Sequence, residues 1–459
     1  MRKRVLAVAA AGALTVATAV PALALENEFH GLFRVFGTIS NYNDGGSGAL
    51  LPDQISDGNG KDPKTKSFVE QRARLMYIAK ANDDLKLVTH FEIDSRWGDN
   101  SYTTSRNMGG AVGADTTNLE TKNVYLDFNI PSTPLNFKVG IQPITDSYKG
   151  IFINADAAAV IATARLGDGS ILAGFSRLDD ADTFTIGSAA SRSATTPGKA
   201  TRDLYLLDGK YNITKDLKVG ASYYVLTADQ NSTNLNFTMH TLGVNGEYKF
   251  NPVTVDGFLL YQIGRTDGAD KYDFGGWAAN LTAKAKLGPG TLKASFLYAS
   301  GEQNSDNEDS SYVGVTNETS KANGKHSFYE SDMMIMFRNK WNVTGDRAIV
   351  YNVKNVIGGF VGYNAPITSK LFANANVGFV AADKNNDNYG ATTSGDAKHD
   401  SQYLGTELNA EVGYKVYDNL TASLQGAYVF LGDYFKRTAA NGQDPRDPYE
   451  TRIMLNYAF

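Results

Sequence analysis

Histidine, cysteine, serine and paired carboxylates are the residues that most often carry chemistry, and this chain spreads them in a way that supports little of it. Its five histidines, His30, His90, His240, His326 and His399, lie far apart, with no pair at zinc-ligand spacing. There is no cysteine, which excludes thiolate metal centres, disulfide staples and the Cys-x-x-Cys-His attachment of covalent haem. No Gly-x-Ser-x-Gly, no P-loop and no Gly-x-Gly-x-x-Gly opening a helix occurs. His90 with Asp94 is the one acid–base hint, and no serine is placed to use it. The expectation is therefore no enzyme, no metal site and no cofactor.

A constellation of charges is more informative. A three-residue turn at Asn82-Asp83-Asp84 sets the flanking segments against each other so that Arg72 faces Asp94, Arg74 faces Glu92 and Met76 faces His90. All sit on the parity opposite Val69, Ala73, Leu75 and Tyr77. Cross-strand charge pairs contribute about 0.2–1 kcal/mol each. Two compatible readings follow: a salt-bridge ladder that stiffens a wall, or a charged wall that biases which ions pass it.

Which reading applies depends on the elements that hold the charges. Tyr449 to Phe459 alternates Tyr449, Thr451, Ile453, Leu455, Tyr457 and Phe459 with Glu450, Arg452, Met454, Asn456 and Ala458. That is one strand with an apolar and a polar face, long enough to cross a bilayer when tilted. The first such strand is Phe29 to Ser40, with Phe29, Phe33, Val35 and Ile39 on one face. Between them a rhythm repeats: strand, short turn, strand, long polar loop. The short turns are Asn82-Asp83-Asp84, Pro131-Ser132-Thr133-Pro134, Gly167-Asp168-Gly169, Thr214-Lys215-Asp216, Asn251-Pro252, Gly288-Pro289-Gly290, Thr368-Ser369-Lys370 and Tyr417-Asp418-Asn419. Long loops rich in Asp, Asn, Ser, Gly and Thr lie at 179–201, 301–325, 383–401 and 432–448.

Eight hairpins plus the two terminal strands predict an all-β antiparallel barrel of about 18 strands, within a range of about 16–20. The range reflects the stretch between Pro289 and Ser369, which fits either an extra strand pair or a long loop folded into the lumen. A barrel of that size has an interior too wide for side chains to fill. The polar parity is therefore expected inside, facing water, and the apolar parity outside, facing lipid. Tyr77, Phe128, Phe137, Tyr211, Tyr248, Tyr363 and Tyr414, near the short turns, suit an interfacial girdle.

The N-terminus fits export. Arg2, Lys3 and Arg4 precede an apolar run from Val5 to Val20, then Pro21 and Ala22-Leu23-Ala24, which reads as a signal peptide over residues 1–24 with the barrel domain over 25–459. Its removal takes three basic residues and no acidic one from a formal charge of −5, leaving −8. That acidic balance disfavours nucleic acid as a partner.

The signal, the alternation of short turns with long loops, and the terminal Phe459 with Tyr457, Leu455 and Ile453 at two-residue steps resemble a Gram-negative outer-membrane porin. Glu26-Asn27-Glu28-Phe29-His30-Gly31 and Asn82-Asp83-Asp84-Leu85-Lys86-Leu87 look like porins abundant in dissimilatory metal-reducing bacteria. The resemblance implies a multi-pass outer-membrane barrel surrounded by lipid and lipopolysaccharide, with Tyr457 and Phe459 as the signal read by the outer-membrane assembly machinery. It implies passive diffusion of small hydrophilic solutes and ions. No constriction-loop motif of the trimeric porins is recognisable, so trimer formation and the constriction loop stay open. Two alternatives remain: a substrate-specific channel, or a barrel that sheathes or scaffolds outer-membrane electron-transfer proteins such as cytochromes.

For such a channel the pore-lining candidates are Arg72, Arg74, His90, Glu92, Asp94, Asp127, Lys138, Arg165, Lys284, Lys286, Glu407, Glu411 and Arg452. Their mixed signs predict weak selectivity, with Lys284, Lys286 and Lys293 making one wall basic. Porin architecture narrows the pore with an infolded loop, and Gln142 to Asp156 has the length and apolar content for it. Its constriction candidates are Asp146, Tyr148, Lys149 and Asp156. The acidic set Glu302, Asp306, Glu308, Asp309 and Glu318 reads as a solvated loop without calcium-loop spacing.

Overall fold

The computed structural model describes residues 25–42, 65–99, 109–113, 117–181, 197–198, 200–230, 235–267, 272–302, 308–315, 329–339, 341, 348–350, 353–385, 399, 401–437 and 444–459. The expected signal peptide, His326, Asp306 and Glu318 lie outside the described residues. The strands are β1 (Glu26–Ser40), β2 (Lys66–Asn82), β3 (Leu85–Arg96), β4 (Glu120–Asn129), β5 (Leu135–Thr145), β6 (Asn154–Leu166), β7 (Gly169–Ala181), β8 (Ala200–Asn212), β9 (Leu217–Gln230) and β10 (Leu235–Phe250). They continue as β11 (Val253–Asp267), β12 (Tyr272–Phe274), β13 (Trp277–Leu287), β14 (Gly290–Ala299), β15 (Glu308–Asp309), β16 (Val356–Pro366), β17 (Leu371–Ala381), β18 (Tyr403–Tyr417), β19 (Leu420–Leu431) and β20 (Tyr449–Ala458).

β12 and β15 are short strands paired with each other beside β11. The other 18 form one closed antiparallel barrel, each paired with its neighbours in sequence and β1 with β20. Closure runs from Ser40 opposite Glu450 to Leu32 opposite Ala458. Phe459 completes it, accepting the Gly31 N–H at 2.9 Å and donating its own N–H back to Gly31 at 3.0 Å. A closed ring leaves no unpaired edge.

All eight short turns join the strand pairs the sequence assigns to them. The ambiguous stretch resolves as a loop: β14 pairs directly with β16, and among the described residues between them none joins the barrel wall. Segment 329–339 instead folds inside.

The faces follow the alternation. On β20, Ile453 is 67% exposed while Arg452 beside it is 1% exposed. Leu242, Val244, Leu259, Ile263, Leu281, Phe379 and Leu424 are likewise exposed on the outer face. A protein folding in water would turn these inward; here they form the apolar belt of a membrane-spanning barrel. Aromatic pairs stand at the short-turn end, among them Phe29 with Tyr77, Phe128 with Phe137 and Tyr457 with Phe459, their centroids 5.1–5.6 Å apart.

The inner face departs from expectation. It is polar toward the short turns, but toward the loop end it becomes apolar through Leu204, Leu206, Leu226, Phe258, Leu260, Leu297, Val356, Phe360, Val380 and Val429, all buried. β8 shows why the alternation hides this: Leu204 and Leu206 point in while Tyr205 and Leu207 are exposed outside, so both faces read as apolar. The reason is a second hydrophobic core inside the barrel, built between the wall and infolded chain.

Candidate functional site

Among the described residues, two of the segments that enter the lumen from the loop end border a cavity. The first, residues 146–153, joins β5 to β6. It is held by the Asp146 carboxylate, which accepts four backbone N–H groups, from Tyr148 (2.6 Å), Gly150 (2.9 Å), Phe152 (2.7 Å) and Ile153 (2.7 Å). One side chain thus satisfies donors that a tight loop would otherwise bury unpaired. Burial pushes this carboxyl above its ordinary value, and the four N–H groups pull against that. Tyr148, Ile151, Phe152 and Ile153 are all fully buried. The Tyr148 ring lies against the inner wall at Gly243, where a Cβ would collide with it. Its hydroxyl is 2.5 Å from Ser222 Oγ, and burial pushes its pKa up to about 12. Lys149 crosses to β11 and β13, 2.8 Å from an Asp256 carboxylate oxygen and 2.6 Å from Thr282 Oγ1. Burial lowers its pKa, with Asp256 opposing.

The second segment, residues 329–339, packs on β13, β14, β16, β17 and β18. Tyr329 accepts a hydrogen bond from Asn280 Nδ2 at 2.9 Å, and Asp332 pairs with Lys293 at 2.6 Å. Met333 fits against Gly378, whose lack of a side chain makes the room, and Phe337 meets Phe360 edge to face. Glu407 on β18 is fully buried beneath it and accepts the N–H groups of Met334 (2.6 Å), Ile335 (3.0 Å) and Met336 (2.7 Å). Trp341 carries the chain on to β1, where the Arg34 guanidinium lies 4.5 Å from its ring centroid.

Between these segments and the short turns lies a cavity of about 1020 Å³. Among the described residues its lining holds four basic side chains (Lys149, Lys284, Lys293, Arg338) and four acidic ones (Asp256, Glu330, Asp332, Glu411), whose formal charges balance. It also holds eight carboxamide side chains, seven Asn and one Gln. Most of these form one wall across β16 to β20. There Asn376 donates to Asn409 Oδ1 at 2.8 Å, and Asn374 and Gln425 donate to Glu411 at 2.8 and 3.0 Å.

The candidates read from the sequence are distributed as follows. Arg72 grips Asp94 through two bonds of 2.7 and 2.5 Å and also touches Glu92 at 3.2 Å, while Arg74 reaches Glu92 at 2.5 Å. The register is the expected one, with Met76 opposite His90. Glu92 and Asp94 are only 2% and 1% exposed, which makes them poor lining and good struts. His90 Nδ1 is 3.2 Å from Asn123 Oδ1. Asp127 accepts from Asn136 and pairs with Lys86 at 3.5 Å, with Lys138 opposite it in register. Arg165 and Lys286 are exposed beside short turns, and Lys284 faces Lys293 across β13 and β14.

Three readings need correction. Glu407 faces inward but is sealed under the 329–339 segment, so it anchors that segment and does not line the channel. Arg452 is equally buried, paired with Glu450 and 4.7 Å from the Phe36 ring centroid. Asp156 is not in the loop, because β5 and β6 stay paired to Thr145 and Asn154; it lies on β6, bonded to Lys122 at 2.7 Å and Asn123 at 2.8 Å. Lys284 and Lys293 face each other across β13 and β14, with Asp332 paired to Lys293 and Asp256 to Lys149. Asp332 and the carboxamide wall were the features missed. Asn374, Asn376, Asn409 and Asn456 all fall on the polar parity of their strands, the one signal that could have found them.

No protein-family model matches this chain, and no curated protein matches its sequence. Solved structures match over nearly its whole length. OccK8 (OprE) of Pseudomonas aeruginosa is 13% identical with a TM-score of 0.55, covering 95% of this chain and 98% of its own. The outer membrane protein OpdK from Pseudomonas aeruginosa is 12% identical with a TM-score of 0.51, at 95% and 99% coverage. OccAB4 of Acinetobacter baumannii is 14% identical with a TM-score of 0.52, at 95% and 98%. At such identities the likeness is one of fold. The chain has the fold of the outer-membrane porins, a closed antiparallel barrel of 18 strands.

Proposed function

We propose that this protein is a channel in the outer membrane of a Gram-negative bacterium, passing small hydrophilic solutes and ions down their gradients. The observation that carries this reading is the polar cavity of about 1020 Å³ inside an apolar-belted barrel, beneath two infolded segments. A barrel serving only as an anchor or sheath has no need of a hydrated, hydrogen-bonding interior. Segments 146–153 and 329–339 are the constriction: each is fixed by a buried carboxylate gripping backbone N–H groups, so the narrowing is rigid. Size and hydrogen bonding filter what passes, and a charge-balanced lining gives little preference between cations and anions.

Planar-bilayer recording on the detergent-purified, heat-modifiable barrel tests this. The expected result is stepwise conductance, with a reversal potential near zero in a salt gradient. Folded barrel that inserts without conducting overturns the reading.

A further inference from the structure

We propose that the cavity is a binding site for neutral polyhydroxylated solutes of about disaccharide size, an inference that rests on the channel reading above. Three features of the wall carry it. The first is its chemistry: each carboxamide offers two donors and an acceptor, the same mixed capacity that a hydroxyl group presents in return. A wall meant for an ion would concentrate one sign of charge. Here Lys149 is answered by Asp256 at 2.8 Å and Lys293 by Asp332 at 2.6 Å.

The second is preorganisation. The bonds from Asn376 to Asn409, and from Asn374 and Gln425 to Glu411, fix the amide planes before any solute arrives. Gln425 is only 3% exposed, and with its Nε2 committed to Glu411 it acts by holding that carboxylate in place at the cavity wall.

The third is Trp341, which lines the same cavity. A sugar ring has one face of C–H groups, and an indole surface beside a hydrogen-bonding wall fits the two faces of such a solute at once. The volume of about 1020 Å³ stands at the upper end of small-molecule sites, which run to roughly 1,000 Å³, ample for two sugar rings.

The test is single-channel recording of the full barrel in planar bilayers with maltose added, each channel normalised to its own conductance in salt. Saturable current block is expected in the wild type. Gln425→Met, close in shape but without the amide, and Trp341→Ala, outside the barrel wall, should each raise the half-saturating maltose concentration roughly tenfold, the equivalent of one to two lost hydrogen bonds. Block that rises linearly without saturating overturns the inference, as does saturation by lactobionate but not by maltose. Unchanged half-saturation in both folded variants does the same. A folded barrel with no conductance in salt alone overturns the channel reading and this inference with it, whereas conductance without saturable block overturns only this inference.

Discussion

Glu407 on β18 holds the backbone N–H of Met336 at 2.7 Å, a contact between the barrel wall and a segment 71 residues earlier in the chain. The same carboxylate takes the N–H groups of Met334 and Ile335, so a single buried side chain sets where the second infolded segment lies. Each bond to a charged acceptor is worth about 1.5–3 kcal/mol. Glu407→Ala should release the segment from the wall while leaving the strand ladder intact. The expected outcome is a larger and noisier single-channel conductance with heat-modifiable migration preserved. Conductance equal to the wild type would show that the 329–339 segment does not restrict the pore.

Asp146 plays the corresponding part for the first segment, with four N–H groups on one carboxylate. Asp146→Ala leaves those donors without their acceptor and should unseat Tyr148 from Gly243. Liposome swelling should then quicken for solutes near the exclusion limit and change little for the smallest ones. Equal acceleration for all sizes would point to general barrel opening.

Lys149 gives a pH dependence with a definite sign. Its pKa lies below the ordinary lysine value of 10.5 because burial disfavours the charge, with Asp256 opposing. As pH rises toward 10.5, Lys149 loses its proton ahead of a fully solvated lysine, and the cavity moves from neutral to net negative. The reversal potential in a salt gradient should drift toward cation preference over that range. Lys149→Met should show cation preference already at neutral pH. A drift of the same size in that variant would place the titrating group elsewhere.

The Arg72, Arg74, Glu92 and Asp94 ladder is expected to act on stability more than on selectivity. Its carboxylates are almost fully buried, and removing one partner of a buried pair costs about 3–5 kcal/mol. Arg72→Ala should lower the urea midpoint of the folded barrel clearly while moving the reversal potential little. A large shift in reversal potential with an unchanged midpoint would reverse that assignment.

The legibility of this protein differs between its two faces. The outer face was readable because lipid demands one thing of every outward residue, and Ile453 against Arg452 shows the resulting alternation at full contrast. The turns were readable for the same local reason, and the register of Arg72 with Asp94 followed from one turn. The inner face answers to two demands, water at the short-turn end and a hydrophobic core at the loop end. Leu204 and Leu206 obey the second, so an alternation rule built on water misplaces them. Glu407 was recognised as inward, but its role depends on Met334 to Met336, which no periodicity links to it. The Met333–Phe337 run is apolar without alternation because it lies on the wall as a packed segment and not within it.

The closing seam carries the last prediction. Phe459 makes two backbone bonds with Gly31, and its ring covers that glycine so closely that a Cβ there would strike both the ring and the Arg74 carbonyl. The ring also stacks on Tyr457 at 5.5 Å. Deleting Phe459 removes the two bonds that end the β1–β20 pairing and uncovers Gly31, leaving the channel interior untouched, since Arg452 and Asn456 are on the opposite face. The deletion should therefore reduce the amount of folded barrel in outer membranes several-fold, while those channels that do form conduct as the wild type does. Quantitative immunoblotting of the heat-modifiable form, alongside single-channel recording, separates the two effects. Normal levels of folded barrel after the deletion would mean that Phe459 is dispensable for assembly and that the seam closes on the Leu32 to Ser40 pairing alone.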